Sequence, residues 1–332
     1  MSDKGTLTYD VHGHFMPEAA MDLMSEGQVV VTGGVGSESI AVNGMLVGAT
    51  LHQLSSADYA LEAMSSAGLH HRVLTPPPFT YRYWDDPQRG LQLCRLINDS
   101  TAATVAANPK HFSGLATVPL QDPRLAIDEL KRSTEELGLS GLGVGTNVDG
   151  RLLSDPALRD FFAEVTEMHA PVLVHPDFVP SQRYTEYYLI NCIGMPVETT
   201  TTLANMVLSG MIEDLPDLRI CLLHGGGAAP YLMGRISHSW HSRPDTSRDS
   251  STPPEDQLGS VYWDTLTHSP EALGFLVSQY GADHVVVGTD APFDMEDADP
   301  LKTLSRAPGL SEEERHQIRS VTPLQWLYGP NR

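Results

Sequence analysis

The segment Asp10-Val11-His12-Gly13-His14 places two imidazoles two positions apart. In an extended chain residues i and i+2 face the same way, so the rings of His12 and His14 converge and form half of a site for a divalent cation. Three other apolar runs close on residues of the same kind: His175 ends PVLVH, His224 ends ICLLH and Asp290 ends VVVGTD. One polar residue at the end of one buried strand is ordinary. Four strands ending on His or Asp are hard to account for as independent events, and together they point to one metal site. Nitrogen and carboxylate donors with no thiolate suit Zn2+ first, and also admit Mn2+ or Fe2+. A single ion is expected, because the fourth strand, Ser140-Gly141-Leu142-Gly143-Val144-Gly145-Thr146-Asn147, offers no Lys, Glu or Cys to bridge a second. A divalent ion held this way either lowers the pKa of its water to about 7 or chelates a carboxylate with a neighbouring hydroxyl.

Converging side chains need a frame. Eight short, nearly continuous apolar runs recur along the chain: Leu7–His14, His70–Pro76, Ser113–Pro119, Gly141–Asn147, Pro171–His175, Arg219–His224, Ser260–Thr265 and His284–Asp290. Such runs read as strands buried on both faces of a parallel sheet. Helical patterns separate them, at Ser55–Gly68, Pro87–Asn108, Pro123–Gly138, Pro156–His169, Glu198–Glu213, Ala228–His241, Pro270–Tyr280 and Ser311–Arg319. Pro123–Gly138 and Pro156–His169 are among those that open on Asp-Pro, a good helix start because proline in the first turn loses no hydrogen bond. Count and order predict an α/β fold, a (β/α)8 TIM barrel, with the site at the C-terminal ends of the strands. Residues 1–332 are expected to form one domain, of ordinary length for a barrel. Gly33, Gly34, Gly36 and Gly44 among β-type residues predict a small β-hairpin insertion after strand 1, at about residues 27–54, over the barrel mouth.

Composition excludes several classes. The formal charge of −21 repels a phosphate backbone, so no nucleic-acid partner is expected. No run of about 18 apolar residues exists, and the polar start MSDKGTLTYD lacks an apolar signal region, so neither a membrane span nor export is expected. Cys94, Cys192 and Cys221 form no C-x-x-C pair, which fits a reducing cytoplasm rather than a disulfide framework or zinc finger. After the second strand, Phe79, Tyr81, Tyr83 and Trp84 gather aromatic rings at the mouth. Phe79, Tyr81 and Trp84 are candidates for the wall of an aromatic substrate's pocket. The ten histidines other than His12, His14, His175 and His224 read mostly as structural, with His52 of interest because it lies in the insertion.

The pattern D-x-H-x-H-x-x-P at Asp10–Pro17, His175, His224-Gly225-Gly226-Gly227 and Gly288-Thr289-Asp290-Ala291-Pro292-Phe293 resembles the amidohydrolase-2 branch of the amidohydrolase superfamily. Within it the chain is similar to the aminocarboxymuconate-semialdehyde decarboxylase family and related metal-dependent non-oxidative decarboxylases. The likeness includes Leu93–Asn98, Gly194–Thr200 and, most specifically, Gly234-Arg235-Ile236-Ser237-His238 followed by Arg243-Pro244-Asp245. The resemblance implies that His12, His14, His175 and Asp290 hold the metal and that His224 serves as acid or base; by its chemistry either Asp290 or His224 can protonate the carbon that loses CO2. It implies that Arg235 reaches a neighbouring subunit's site and binds substrate carboxylate, hence a homodimer. One departure stands out. That family's insertion carries an arginine, whereas Ser37–Ser66 contains none and Gly48 falls about where it belongs. The expected reaction is decarboxylation of an aromatic or unsaturated acid with an adjacent hydroxyl or amino group. A hydrolase, or a cyclising dehydratase forming a benzoxazole from an ortho-hydroxyaryl amide or ester, is the alternative.

Overall fold

The structure is a computed structural model describing residues 7–24, 29–34, 38–42, 44–177 and 181–329. Its centre is an eight-stranded parallel sheet built from β1 (Tyr9–His14), β5 (His71–Thr75), β6 (Phe112–Ala116), β7 (Gly141–Gly145), β10 (Val172–His175), β11 (Ile220–Leu222), β12 (Val261–Asp264) and β13 (Val285–Val286), in that order. The sheet closes on itself. Val11 N–H donates to Val287 O (2.8 Å), Asp290 N–H to His12 O (2.8 Å) and His14 N–H to Ala291 O (2.7 Å). The expected (β/α)8 barrel is therefore present, and each of the eight predicted runs supplies one barrel strand.

Inside the barrel, Val11, Val73, Leu115, Leu173, Cys221, Tyr262 and Val286 form one cluster, closed by Trp326 and Leu327 of the C-terminal helix Thr322–Tyr328. Filling the interior with side chains from successive strands makes it a packed core rather than a pore. β1 carries an irregularity here. Its pairing with β5 jumps from Asp10↔Arg72 to Gly13↔Leu74, so Val11 and His12 together stand opposite Val73. A regular strand would send Val11 and His12 to opposite faces. The bulge lets Val11 pack in the interior while His12, one residue on, still turns to the mouth.

Between the strands the helices follow their expected starts. The carboxylates of Asp86, Asp122 and Asp155 each accept backbone N–H groups at the head of a helix whose first residue is proline. Several ends differ from expectation. The helix beginning at Pro123 stops at Lys131 and widens into a π-turn over Arg132–Glu136. The run expected over Glu198–Glu213 starts earlier, at Met195, and breaks after Leu208, because Gly210 takes a left-handed conformation (φ 72°) before a short helix at Met211–Asp214. Helices at Pro300–Arg306 and Thr322–Tyr328 follow the last strand.

The insertion is a three-stranded antiparallel sheet rather than a hairpin: β2 (Val29–Thr32), β3 (Ser39–Val42) and β4 (Met45–Val47); a separate two-stranded antiparallel ribbon, β8 (Asn147–Val148) and β9 (Arg151–Leu152), follows β7. The extra strand follows from a second turn at Gly44, which adopts φ 80°. Residues 27–28, 35–37 and 43 of the expected insertion lie outside the described residues. One face of the small sheet, with Val29, Ile40, Val42 and Val47, packs on Phe79, Leu93 and Ile97. That contact fixes the insertion beside the loop following β5. Among the described residues no helix is long and apolar enough to cross a membrane.

Candidate metal centre

Four imidazoles surround the Asp290 carboxylate. His14 Nε2 lies 2.9 Å and His12 Nε2 3.1 Å from Asp290 Oδ1, His175 Nε2 3.8 Å from the same oxygen, and His224 Nε2 3.6 Å from Oδ2. The rings of His12 and His175 each contact those of both His14 and His224, with centroids 5.0–5.3 Å apart. One donor atom from each of His12, His175, His224 and Asp290 falls within 4.8 Å of the others. The sequence expectation had His14 in this set and His224 beside it. The geometry adds His224 to the grouped donors, while His14 Nε2 makes the shortest approach to Asp290, 2.9 Å.

The donors fit a divalent ion. His175 Nδ1–H donates to Pro176 O (2.7 Å) and His12 Nδ1–H to Asp264 Oδ2 (2.8 Å), which orients both rings with Nε2 toward Asp290, ready to ligate an ion once that nitrogen is free of its proton. Both Nε2 atoms are buried without a hydrogen-bond partner among the described residues. Leaving such atoms unsatisfied is costly, and a cation between them would satisfy both. His12, His14 and His175 are almost completely enclosed, whereas the side chain of His224 is 16% exposed.

Charge is tuned accordingly. Burial pushes the His175 pKa down to about 3, helped by the neighbouring imidazoles, and burial likewise lowers that of His14, partly offset by Asp290. Burial also acts downward on His12, but Asp290 and Asp264 outweigh it and raise its pKa to about 10. For Asp290, burial works upward and the surrounding imidazoles prevail, holding the carboxyl well below the usual carboxylate range.

The backbone places these groups at some cost. His224 and Asp290 both sit at positive φ (56° and 64°), a conformation that non-glycine residues seldom adopt and that concentrates at functional sites. Beyond His224 the chain must turn tightly. A Cβ at Gly226 would collide with the Trp263 ring and one at Gly227 with Pro196 O, so the H-G-G-G run is a steric requirement. Asp10 ties the two ends of the barrel together. Its carboxylate accepts from His12 N–H (3.1 Å), Thr289 N–H (3.2 Å), Thr289 Oγ1–H (2.7 Å) and Arg72 Nε–H (2.7 Å).

Two cavities share Asp290 in their walls. The larger, about 580 Å3, is lined by Met195, His224, Tyr231, Thr267, His268 and Asp290 among others. A narrow one lies toward the insertion, between Gly48, Phe79, His175, Tyr188, Asp290 and Phe293, and shares Asn191 and Met195 with the first. Of the expected aromatic contacts, Phe79 lines the narrow cavity. Tyr81 does not reach either cavity, because its ring stacks on Tyr83 (5.7 Å) against β7 and is buried in the main core. Trp84 also stands off, 42% exposed and covered by the Arg82 guanidinium at 5.6 Å. Arg235 is exposed on the helix Ala229–Ser242 and lines neither cavity of its own chain.

Sequence reasoning passes over Asp264 and His268. Asp264 is fully buried, orients His12, and accepts from Gly225 N–H (2.7 Å) and Leu266 N–H (3.3 Å). Its signal is the same one that marks Asp290, an acid closing an apolar strand. His268 lies in the loop beyond that strand, where no pattern distinguishes it.

The amidohydrolase family model matches residues 9–327. A 2-amino-3-carboxymuconate-6-semialdehyde decarboxylase of Dictyostelium discoideum is 35% identical over 272 residues, covering 81% of this chain and 76% of its own. Among solved structures, 5-carboxyvanillate decarboxylase of Sphingomonas paucimobilis superposes with a TM-score of 0.84 at 22% identity, over 97% of this chain and 99% of that one. A dihydroxybenzoic acid decarboxylase from a Polaromonas species, solved with bound manganese, gives 0.81 at 22% identity over 97% of each chain.

Proposed function

This chain belongs to the amidohydrolase family, and from that premise we propose that it is a metal-dependent lyase decarboxylating an aromatic or unsaturated carboxylic acid with a hydroxyl or amino group beside the carboxylate. One feature carries this reading: the partnerless Nε2 atoms of His12 and His175 meet Asp290 at the cavity into which His224 opens. The decarboxylases similar to this chain act on acids of that kind by their names, and one holds manganese.

In this reading His12, His14, His175 and Asp290 hold one divalent ion, Zn2+ by donor type, with Mn2+ or Fe2+ equally acceptable to imidazole and carboxylate. When bound, the ion supplies a Lewis acid for the carboxylate and its neighbouring oxygen or nitrogen. Asp264 keeps the His12 ring oriented. Phe79 offers a flat apolar wall. The bond between the ring carbon and the carboxylate breaks, CO2 leaves, and the electron pair stays on the carbon. His224 delivers the proton that takes its place, or Asp290, 3.6 Å away, passes on one it has first taken from the substrate's hydroxyl or amino group. Arg235 grips substrate carboxylate across a homodimer interface through a planar two-point contact. The working unit is one barrel domain per subunit in the cytoplasm, without nucleic acid or membrane.

A hydrolase or cyclising dehydratase is the second reading. A cavity of about 580 Å3 exceeds what a single-ring acid needs, and among the described residues no Lys or Arg lines it. The test is to strip metal with a chelator, restore Zn2+, Mn2+ or Fe2+ separately, and follow labelled CO2 from carboxyl-labelled ortho-hydroxy and ortho-amino aromatic acids. Metal-dependent release of label is expected. Its absence across the panel with fully loaded protein would overturn the decarboxylase.

A further inference from the structure

Tyr188, Asp294 and Gly48 meet on the insertion side of the cleft. The Tyr188 hydroxyl donates to Asp294 Oδ1 at 3.5 Å. A phenol that gives its proton to a carboxylate presents only lone pairs to anything else that approaches. Gly48 contributes no side chain, and a Cβ there would run into the Asp294 carboxyl group, which occupies that space. Tyr188 and Gly48 line the narrow cavity with Phe79 and Asp290. Among the described residues neither Lys nor Arg lines that cavity or the larger one. The narrow cavity, which His175 and Asp290 also line, therefore offers a ligand the Tyr188 oxygen on its insertion side, with the Asp294 carboxylate behind it.

We propose that Tyr188 and Asp294 are a specificity-determining pair, selecting substrates whose far end carries a hydrogen-bond donor, an amino or hydroxyl group, and excluding acids with a second carboxylate there. The proposal rests on this cleft being the substrate site. A ligand N–H or O–H meets the Tyr188 oxygen and satisfies it. A second carboxylate meets lone pairs and, behind them, the Asp294 charge. Like-charge juxtaposition and an unpaired acceptor both discriminate against it. Asp294 is solvent-exposed, so water screens part of the effect.

The test uses Mn2+-loaded protein and matched probes sharing a 2-hydroxybenzoate core: 4-amino and 5-amino derivatives against 4-carboxy and 5-carboxy derivatives. Calorimetric Kd and CO2 release are measured for each. The better amino probe is expected to bind about tenfold more tightly than the better carboxy probe. Asp294→Ala should bring that ratio close to one. Asp294→Asn, which keeps an acceptor for Tyr188 but no charge, should relieve the penalty on the carboxy probes while leaving the amino probes within about threefold. Tyr188→Phe should weaken the amino probes alone. A carboxy probe binding as well as the amino probes in the unsubstituted protein, a ratio unchanged in Asp294→Ala, or no binding by any probe would overturn the proposal. Selective binding without CO2 release would leave the pair's role standing and remove the decarboxylase reading.

Discussion

Asp264→Asn changes one oxygen to nitrogen at a fully buried position and leaves its volume nearly unchanged. The carboxylate accepts three hydrogen bonds, from His12 Nδ1–H, Gly225 N–H and Leu266 N–H. An amide has one acceptor oxygen to offer. If that oxygen stays on Gly225 and Leu266, the amide NH2 faces His12 Nδ1, which must then accept, and the ring's proton moves to Nε2, the atom that should face the ion. If the amide flips, His12 is served and Gly225 N–H is left buried against a donor, at about 1–3 kcal/mol. Either arrangement degrades the site, and loss of a carboxylate behind a ligating histidine lowers metal affinity about 10–100-fold. One effect opposes this. Asp264 helps raise the His12 pKa, so its removal eases deprotonation of that ring. Competition with a fluorescent chelator, run from neutral to alkaline pH, separates the two, because the proton penalty fades as pH rises and the orientation loss remains. Undiminished affinity of Asp264→Asn at the alkaline end would refute the account of how His12 is positioned.

Three further outcomes follow. His12, with a pKa raised to about 10, carries a proton at neutral pH that an ion must displace, so apparent metal affinity should rise by up to tenfold per pH unit below that value; a flat profile in the same chelator titration would contradict it. Arg235→Ala should lose activity, and mixing it with a His12→Ala protein should restore part of it through hybrid dimers carrying one complete site; failure of two such inactive proteins to complement, with subunit exchange shown by mass, would remove the cross-subunit role. Glu129 is enclosed by Arg132, Asn98 and Arg95, and although burial pushes its pKa up, these partners hold it below the ordinary carboxylate value. A depressed folded-state pKa gives stability that is present above the unfolded value and lost as pH falls through the folded one. Glu129→Gln should therefore lower stability by about 1–3 kcal/mol near neutrality, and the deficit should shrink in acid; equal deficits at both pH values in urea unfolding would speak against this.

The barrel is legible because its strands are short apolar runs whose polar ends coincide with its mouth. His12, His175, His224 and Asp290 all follow from that one regularity, and Asp264 obeys it too but hides behind a tryptophan in SVYWDT. Alternation alone would misplace Val11 against His12, since only the bulge opposite Val73 lets both face inward. The third strand of the insertion is short, three residues, and too brief to carry a periodic signal. Tyr81 and Trp84 share a loop with Phe79, and composition cannot tell which of the three turns inward; stacking on Tyr83 and exposure beside Arg82 decide it. Trp326 closes the barrel from a helix of seven residues whose pattern is too brief to read.

Carbon–carbon cleavage leaves an electron pair on the ring carbon, and that carbon must take up a proton from the medium. The most direct measurement is product mass spectrometry in D2O, with metal-loaded protein and ortho-hydroxy and ortho-amino aromatic acids together with their ortho-hydroxyanilides and esters. A product lacking CO2 and carrying one deuterium on the ring carbon is predicted. A product changed by one water, with its carboxylate intact, would contradict it and move the enzyme to hydrolysis or cyclisation.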